Sequence, residues 1–316
     1  MAHSIELNHN HFKKVAAELL FALGDTCTSG ERRGRILVGA SGVGKTRICE
    51  YLISKFPRVD NGRRVDINGS AAVVDYVPVV YATLDIEARP TSFLQGLAEA
   101  VGTKTPRRRL KDHVINTLIW CGTKWIILDE AQRLLKVGGR SYRPGLVETI
   151  KDIHDKTGAC FLLVGNPAAE RVLERDGQIR RRFDDVIYLP AYDWTDQVQA
   201  GEFCSVCKSL WRAMGIPVDP LLEENIVLFC ERLYFVSTGI IGELIKLLSK
   251  AEEIRIFEEK PIIDAKVFYQ AVNTGFALHK REFSDKASLK EKHAANPFAS
   301  DWQPRKPTPY KPDWMG

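Results

Sequence analysis

Apolar positions recur along the first two thirds of the chain in two alternating rhythms. Residues 10 to 23 carry Phe12, Val15, Ala16, Leu19, Leu20 and Leu23 on one stripe at helical spacing, and Gly24 closes the run. Short apolar runs at 35–38, 77–84, 125–128, 160–164 and 186–189 read as strands. Helical spacing fills 46–56, 91–101, 110–121, 144–156 and the stretch opened by Pro167. Strands alternating with helices from 35 to 190 predict an α/β fold, a mostly parallel sheet covered by helices on both faces. Beyond Pro190 only helical stretches follow, near 194–213, 220–234, 239–257 and 264–277. The predicted organisation is therefore an N-terminal helical segment (1–30), an α/β domain (31–191), a small all-helical domain (192–279) and a tail (280–316).

The tail has a different composition. Pro297, Pro304, Pro307, Pro309 and Pro312 are interleaved with Phe298, Trp302, Tyr310 and Trp314. This predicts an extended or disordered segment. Its aromatics suit a docking peptide in which Phe298, Trp302 and Trp314 anchor in a partner.

Composition narrows the class further. A length of 316 residues suits about two domains of roughly 150 residues. Hydrophobic residues at 45% and charged residues at 27% exclude a disordered, collagenous or fibrous chain. The net charge of +5 permits a nucleic-acid partner without requiring one. The 7 cysteines are odd in number and irregularly spaced, which suits reduced thiols. The Val15–Leu23 run is interrupted by Glu18, and no small-residue cleavage site follows it. No apolar run approaches the roughly 20 residues that span a bilayer. A soluble cytoplasmic protein with no membrane partner is expected.

Chemistry enters at the strand ends. Gly39, Ala40, Ser41, Gly42, Val43, Gly44, Lys45 and Thr46 match G-x-x-x-x-G-K-[ST] between a strand and a helix. Glycines let backbone N–H groups close around phosphate oxygens, and the helix start adds its positive end. Lys45 would reach the β- and γ-phosphates, and the Thr46 hydroxyl would ligate Mg²⁺. These eight residues and Arg47 form the candidate ATP site. The strand Trp125–Leu128 runs into Asp129 and Glu130. Asp129 would hold Mg²⁺ and Glu130 would polarise the attacking water. Adjacent carboxylates at this point distinguish NTPases with a glutamate base from GTPase-like and kinase-like P-loop proteins. The strand Phe161–Val164 leads to Gly165 and Asn166, where an amide can bond the γ-phosphate or the water. Asn166 is equally placed to cap the helix opened by Pro167.

Two arginine runs stand out. Arg180, Arg181 and Arg182 precede the fifth strand, where an arginine can project toward a neighbouring subunit's γ-phosphate. Arg182 is the first choice and Arg181 the second. Arg107, Arg108 and Arg109, with Lys104 and Lys111, crowd a helix start. Positive charge opposes the dipole there, which is easier to understand if an anion binds. Lys136 and Arg140 are second-rank candidates. Cys204 and Cys207 form a lone C-x-x-C without a second ligand pair, and buried thiols are the expectation.

Together these motifs match an AAA+ ATPase of the ASCE type, with two Walker motifs, a first sensor, an arginine finger and a helical lid. Gly39–Thr46, the Asp129-Glu130-Ala131-Gln132 turn, Val164-Gly165-Asn166-Pro167 and the Arg-Arg-Phe run resemble the TniB/TnsC group of transposition regulators. The likeness covers about 30 to 255. It implies ATP and Mg²⁺ as cofactors and a homo-oligomer, ring or helical filament, assembled on double-stranded DNA. The implied partners are a transposase and a TniQ-like targeting protein, with hydrolysis disassembling the oligomer. In this setting the basic run at 104–111 would make sequence-independent phosphate contacts. One departure concerns the lid. Ser237-Thr238-Gly239-Ile240-Ile241-Gly242-Glu243 puts glycine where many such lids carry a second-sensor arginine, and Lys246 stands a turn further on. Two other classes remain open at this stage. An AAA+ ATPase acting on a protein partner would hydrolyse ATP without DNA stimulation. A nucleotide-gated signalling scaffold would hold nucleotide tightly and need no DNA.

Overall fold

The structure is a computed structural model that describes residues 10–25, 33–104, 108–135, 144–175, 177–275, 296–300 and 302–303. Its chain divides into two compact units. One comprises Lys14–Gly39 with Lys45–Leu189. The other groups Pro190–Gly316 with Met1–Lys13 and Ala40–Gly44.

The chain opens with α1 (Asn10–Asp25), then β1 (Gly34–Val38) and α2 (Lys45–Lys55). An antiparallel pair, β2 (Val59–Ile67) and β3 (Ser70–Tyr76), precedes β4 (Val79–Thr83), α3 (Pro90–Val101) and α4 (Leu110–Trp120). Next come β5 (Trp125–Asp129), α5 (Pro144–Thr157), β6 (Cys160–Gly165), two short helices α6 (Arg171–Arg175) and α7 (Gly177–Arg180), and β7 (Phe183–Tyr188). The main sheet is parallel throughout, in the order β4-β5-β6-β1-β7. Its central strands explain their own composition. Every residue of β5 and β6 is buried. A parallel strand covered on both faces has no solvent side, so it reads as a continuous apolar run. Polar groups can emerge only at its ends.

All five strands of this sheet lie where the apolar runs predict. The β2–β3 hairpin was not predicted. Its positions are exposed or half-buried throughout; β2 is mostly polar, and β3 carries only the short run Ala71-Ala72-Val73-Val74. The signal present is Asn68-Gly69, with φ of 56° and 83°, the pairing that a two-residue hairpin turn favours. The helix expected from Pro167 is also different. Pro167–Glu170 forms a 3₁₀ turn before α6 begins.

The second unit contains α8 (Gln197–Ala213), α9 (Pro220–Glu224), α10 (Ile226–Ser237), α11 (Ile241–Phe257) and α12 (Ala265–Gly275). The helix expected over 220–234 breaks at Asn225, whose φ of −110° and ψ of 58° leave the helical region. Phe203, Trp211, Phe229 and Phe268 fill the core with fully buried side chains. Among the described residues, no helix is long and apolar enough to cross a membrane.

Part of the tail joins this core. Phe298 is buried and stacks on Phe268 at 4.9 Å between ring centres. Asn296 is buried as well, and its Nδ2 donates to the Tyr269 carbonyl and to Asn273 Oδ1, each at 3.0 Å. Trp302 packs edge-on against Phe235 at 5.3 Å. The expectation that Phe298 anchors in a partner is therefore corrected, because its apolar surface is already removed from water by its own unit. Tyr310 and Trp314 lie outside the described residues. Phe298→Ala should lower the unfolding free energy of the full chain by about 3 kcal/mol through the lost transfer term and the cavity. Urea denaturation followed by tryptophan fluorescence checks it, and an unchanged midpoint would detach Phe298 from the core.

Candidate nucleotide-binding and catalytic site

The site residues issue from the carboxyl ends of adjacent strands. Where β1 ends, the Gly39 amide donates to the Gly165 carbonyl at 3.2 Å and ties the start of the glycine loop to β6. Gly42 and Gly44 take φ values of 83° and 110°, a region that glycine enters without a Cβ penalty. α2 then starts at Lys45. Lys45 Nζ donates to the Gly39 carbonyl at 2.8 Å. Burial pulls the Lys45 pKa below the usual lysine value, against the opposing pull of Asp129 and Glu130. Arg47 faces outward and pairs with Glu50 at 2.7 Å.

Asp129 is only 7% exposed. Its Oδ2 accepts from Thr46 Oγ1 at 3.3 Å and from the Tyr81 hydroxyl at 2.7 Å, and its Oδ1 accepts from the Glu130 amide at 2.8 Å. Thr46 and Asp129 thus bring two hard oxygen donors together, the chemistry that Mg²⁺ takes with few protein ligands. The residues fit the ion. Tyr81 is a member of this group that the sequence pattern does not reveal. It lies inside an apolar strand, where an aromatic is read as core, and its polar tip is visible only in three dimensions.

Glu130 sits in the left-handed region, with φ of 61° and ψ of 36°. Its Oε2 accepts from Gln132 Nε2 at 2.6 Å and pairs with Arg133 at 3.3 Å. Arg133 also donates to the Leu84 carbonyl. Gln132 Oε1 in turn accepts the Asn166 amide at 3.1 Å. Asn166 caps the 3₁₀ turn with its Oδ1, which accepts from the Ala168 amide at 3.0 Å. That bond uses one end of the carboxamide, so capping and ligand contact by Nδ2 are compatible.

The arginines separate. Arg182 makes two bonds to Asp155, Nε to Oδ1 at 3.1 Å and Nη2 to Oδ2 at 2.8 Å. Arg181 is exposed, and among the described residues no carboxylate pairs with it. In the basic run, Lys104, Arg108 and Arg109 are exposed, and Arg109 adopts φ of 55° just before α4. Lys111 is bound to Asp152 of α5, so its charge is matched internally. Arg107, Lys136 and Arg140 lie outside the described residues. Within the second unit, Gly242 is the second residue of α11, and its amide donates to the Gly42 carbonyl at 2.8 Å. Cys204 and Cys207 lie one turn apart in α8, and Cys207 is buried. A bond to Cys230 and burial push the Cys204 thiol well above its usual value, so the thiolate form is disfavoured.

The sequence profile of the Bacterial TniB protein family matches residues 7–193. The chain belongs to the TniB family. No curated protein matches it significantly. Solved structures share the fold at low identity. The Aeropyrum pernix ORC2 protein, solved as ADPNP-ADP complexes, is 14% identical with a TM-score of 0.58, covering 88% of this chain and 69% of that one. Cdc6p from Pyrobaculum aerophilum is 16% identical with a TM-score of 0.61, covering 89% and 74%. The Aeropyrum pernix ORC1 protein in complex with DNA is 15% identical with a TM-score of 0.61, covering 93% and 73%. This TniB-family chain has the P-loop AAA+ fold that its strand order and glycine loop describe.

The Arg182–Asp155 pair gives a stability test. Asp155 is held below the usual carboxyl range, first by the Arg182 hydrogen bond. A depressed carboxyl stabilises the fold fully above its unfolded pKa, and the contribution is lost as pH falls through the folded value. Because Asp155 is 52% exposed, solvent screening limits the pair to about 1 kcal/mol. Arg182→Ala should lose about that much at pH 7 and less below about pH 3.8, whereas Arg181→Ala should leave stability unchanged. Urea midpoints across pH read both, and equal losses at the two positions would contradict the assignment.

Proposed function

We propose that this TniB-family protein is an ATP-hydrolysing regulator of DNA transposition that oligomerises on duplex DNA and recruits a transposase. The observation that carries the reading is the convergence of Lys45, Thr46, Asp129, Glu130 and Asn166 at the carboxyl ends of β1, β5 and β6. Lys45 would neutralise charge on the β- and γ-phosphates. Thr46 and Asp129 would hold Mg²⁺, which when bound offsets charge on the same oxygens. Glu130 would draw the proton from a water whose oxygen attacks the γ-phosphorus while the bond to the β–γ bridging oxygen breaks and ADP leaves. Asn166 Nδ2 would bond the γ-phosphate or the water. Arg181 of an adjacent subunit would serve as the finger, since among the described residues no carboxylate pairs with it whereas Arg182 is held by Asp155, and a finger of this kind is worth about 10³–10⁵ in rate.

Double-stranded DNA, a transposase and a TniQ-like targeting protein are the proposed partners, in line with the TniB family. The fold is one on which the ORC2 protein holds ADPNP and ADP and the ORC1 protein binds DNA. Lys104, Arg108 and Arg109 are the proposed phosphate contacts, with Lys111 kept by Asp152 for the fold.

Glu130→Gln should bind ATP normally, hydrolyse it at least about 10²-fold more slowly and stay assembled on duplex DNA. Lys45→Ala should lose nucleotide affinity, and Arg181→Ala should lose turnover while keeping affinity. Electron microscopy with ATP, with and without DNA, beside steady-state ATPase rates checks all three. DNA-independent assembly, or fast turnover by Glu130→Gln, would overturn the reading.

A second prediction concerns the DNA surface. Replacing Arg108 and Arg109 with Glu should weaken duplex binding irrespective of sequence. The log–log salt slope should fall by about 0.9 for each phosphate no longer neutralised. Fluorescence anisotropy over a salt series measures it, and an unchanged slope with intact ATP binding would move the DNA path elsewhere.

A further inference from the structure

Gln132 links two groups that the proposed reaction uses separately. Its Oε1 accepts the backbone N–H of Asn166, and its Nε2 donates to the Glu130 carboxylate. The orientation of the carboxamide follows from chemistry. A backbone N–H can only donate, so the oxygen must face Asn166, and the nitrogen then faces a carboxylate that can only accept. Neither end can be reversed without losing both bonds.

The surroundings are shaped for this side chain. A Cβ built on Gly165 would lie 2.5 Å from Gln132 Oε1, so the strand residue just before Asn166 must be glycine for the carboxamide to pass. Glu130 has a left-handed backbone, which costs a non-glycine residue about 1–2 kcal/mol. That conformation is held in place by what its side chain and the following turn bond to. Arg133 adds a second donor to the same Oε2.

We infer that Gln132 is a positioning residue that fixes the Glu130 carboxylate in register with Asn166, so that the base and the γ-phosphate-sensing amide move as one frame. The inference rests on the ATPase reading above. A residue acting this way affects the reaction step and leaves ground-state binding of nucleotide unchanged, because its side-chain hydrogen bonds among the described residues go to Asn166 and Glu130 rather than to the glycine loop or Lys45. Misplacing a catalytic group by about 1 Å can cost about 10²-fold.

Two substitutions divide the two bonds. Gln132→Glu keeps an acceptor for the Asn166 amide and replaces the donor facing Glu130 with a negative oxygen. Gln132→Met keeps the volume and removes both bonds. Both should lower kcat by about tenfold to a hundredfold while KM for ATP and the affinity for a fluorescent ATP analogue stay within about twofold. Hydrogen exchange in a peptide spanning residues 160–170 should quicken in Gln132→Met and hold in Gln132→Glu. A kcat equal to wild type in either variant, a parallel loss of nucleotide affinity, or a fall in melting temperature would overturn the role. If the wild-type chain with DNA shows no turnover at all, the ATPase reading fails first and takes this inference with it. Wild-type turnover with active Gln132 variants sinks the inference alone.

Discussion

The bond from the Gly39 amide to the Gly165 carbonyl continues the β1–β6 ladder past the end of β1, and the polar part of the molecule begins where that ladder stops. Parallel pairing brings Val38 beside Gly165, and β5 beside β6 brings Leu128 beside Leu163. The strands are buried on both faces, so any polar side chain within them would be stranded without water. Asp129, the last residue of β5, is buried but satisfied by Thr46, Tyr81 and the Glu130 amide, and Asn166 stands one residue past the end of β6. A slip of one residue between β1 and β6 would displace Asp129 from Thr46, and a slip between β5 and β6 would also displace Gln132 from Asn166. The site is therefore a consequence of register, and register is enforced by the apolar runs.

This explains what could be read in advance. Lys45, Thr46, Asp129, Glu130 and Asn166 are legible because each follows closely on an apolar run, and the run announces the strand that delivers it. Tyr81 and Gln132 are not legible in the same way. Tyr81 is one aromatic among apolar neighbours, and its bond to Asp129 depends on β4 lying next to β5, which no local pattern records. Gln132 lies in a turn where polar residues are ordinary. The β2–β3 hairpin escaped because β2 is mostly polar and the short apolar run of β3 has no fully buried residue, although Asn68-Gly69 was a usable sign. Phe298 misled for the opposite reason. Prolines around it argue against a helix, but they do not prevent a short segment from burying one ring against Phe268.

Charge read from sequence was the least transferable quantity. The sum of +5 says nothing of which cations are spent within the fold. Lys111 with Asp152, Arg182 with Asp155 and Arg47 with Glu50 are matched locally. None of these pairs contributes much stability at such exposure. Their effect is on availability. A guanidinium already bonded through two of its nitrogens to a carboxylate must break those bonds to meet a phosphate, whereas among the described residues no carboxylate pairs with Arg181, Arg108 or Arg109.

The lid glycine gives the same argument a steric form. A Cβ on Gly242 would approach the Gly42 Cα to 2.9 Å and its carbonyl oxygen to 3.0 Å, both backbone atoms that cannot swing aside. The Gly242–Gly42 bond therefore requires glycine, and an arginine at this place is closed off by packing. Tight backbone contact and a charged second sensor are alternatives at one position, and this chain has the contact. In the proposed reaction, positive charge on the γ-phosphate would then come from Lys45, from the Mg²⁺ that Thr46 and Asp129 would hold, and from Arg181 of an adjacent subunit. On that proposal a subunit alone would lack one of the charges that the transition state develops against, and turnover would depend on assembly.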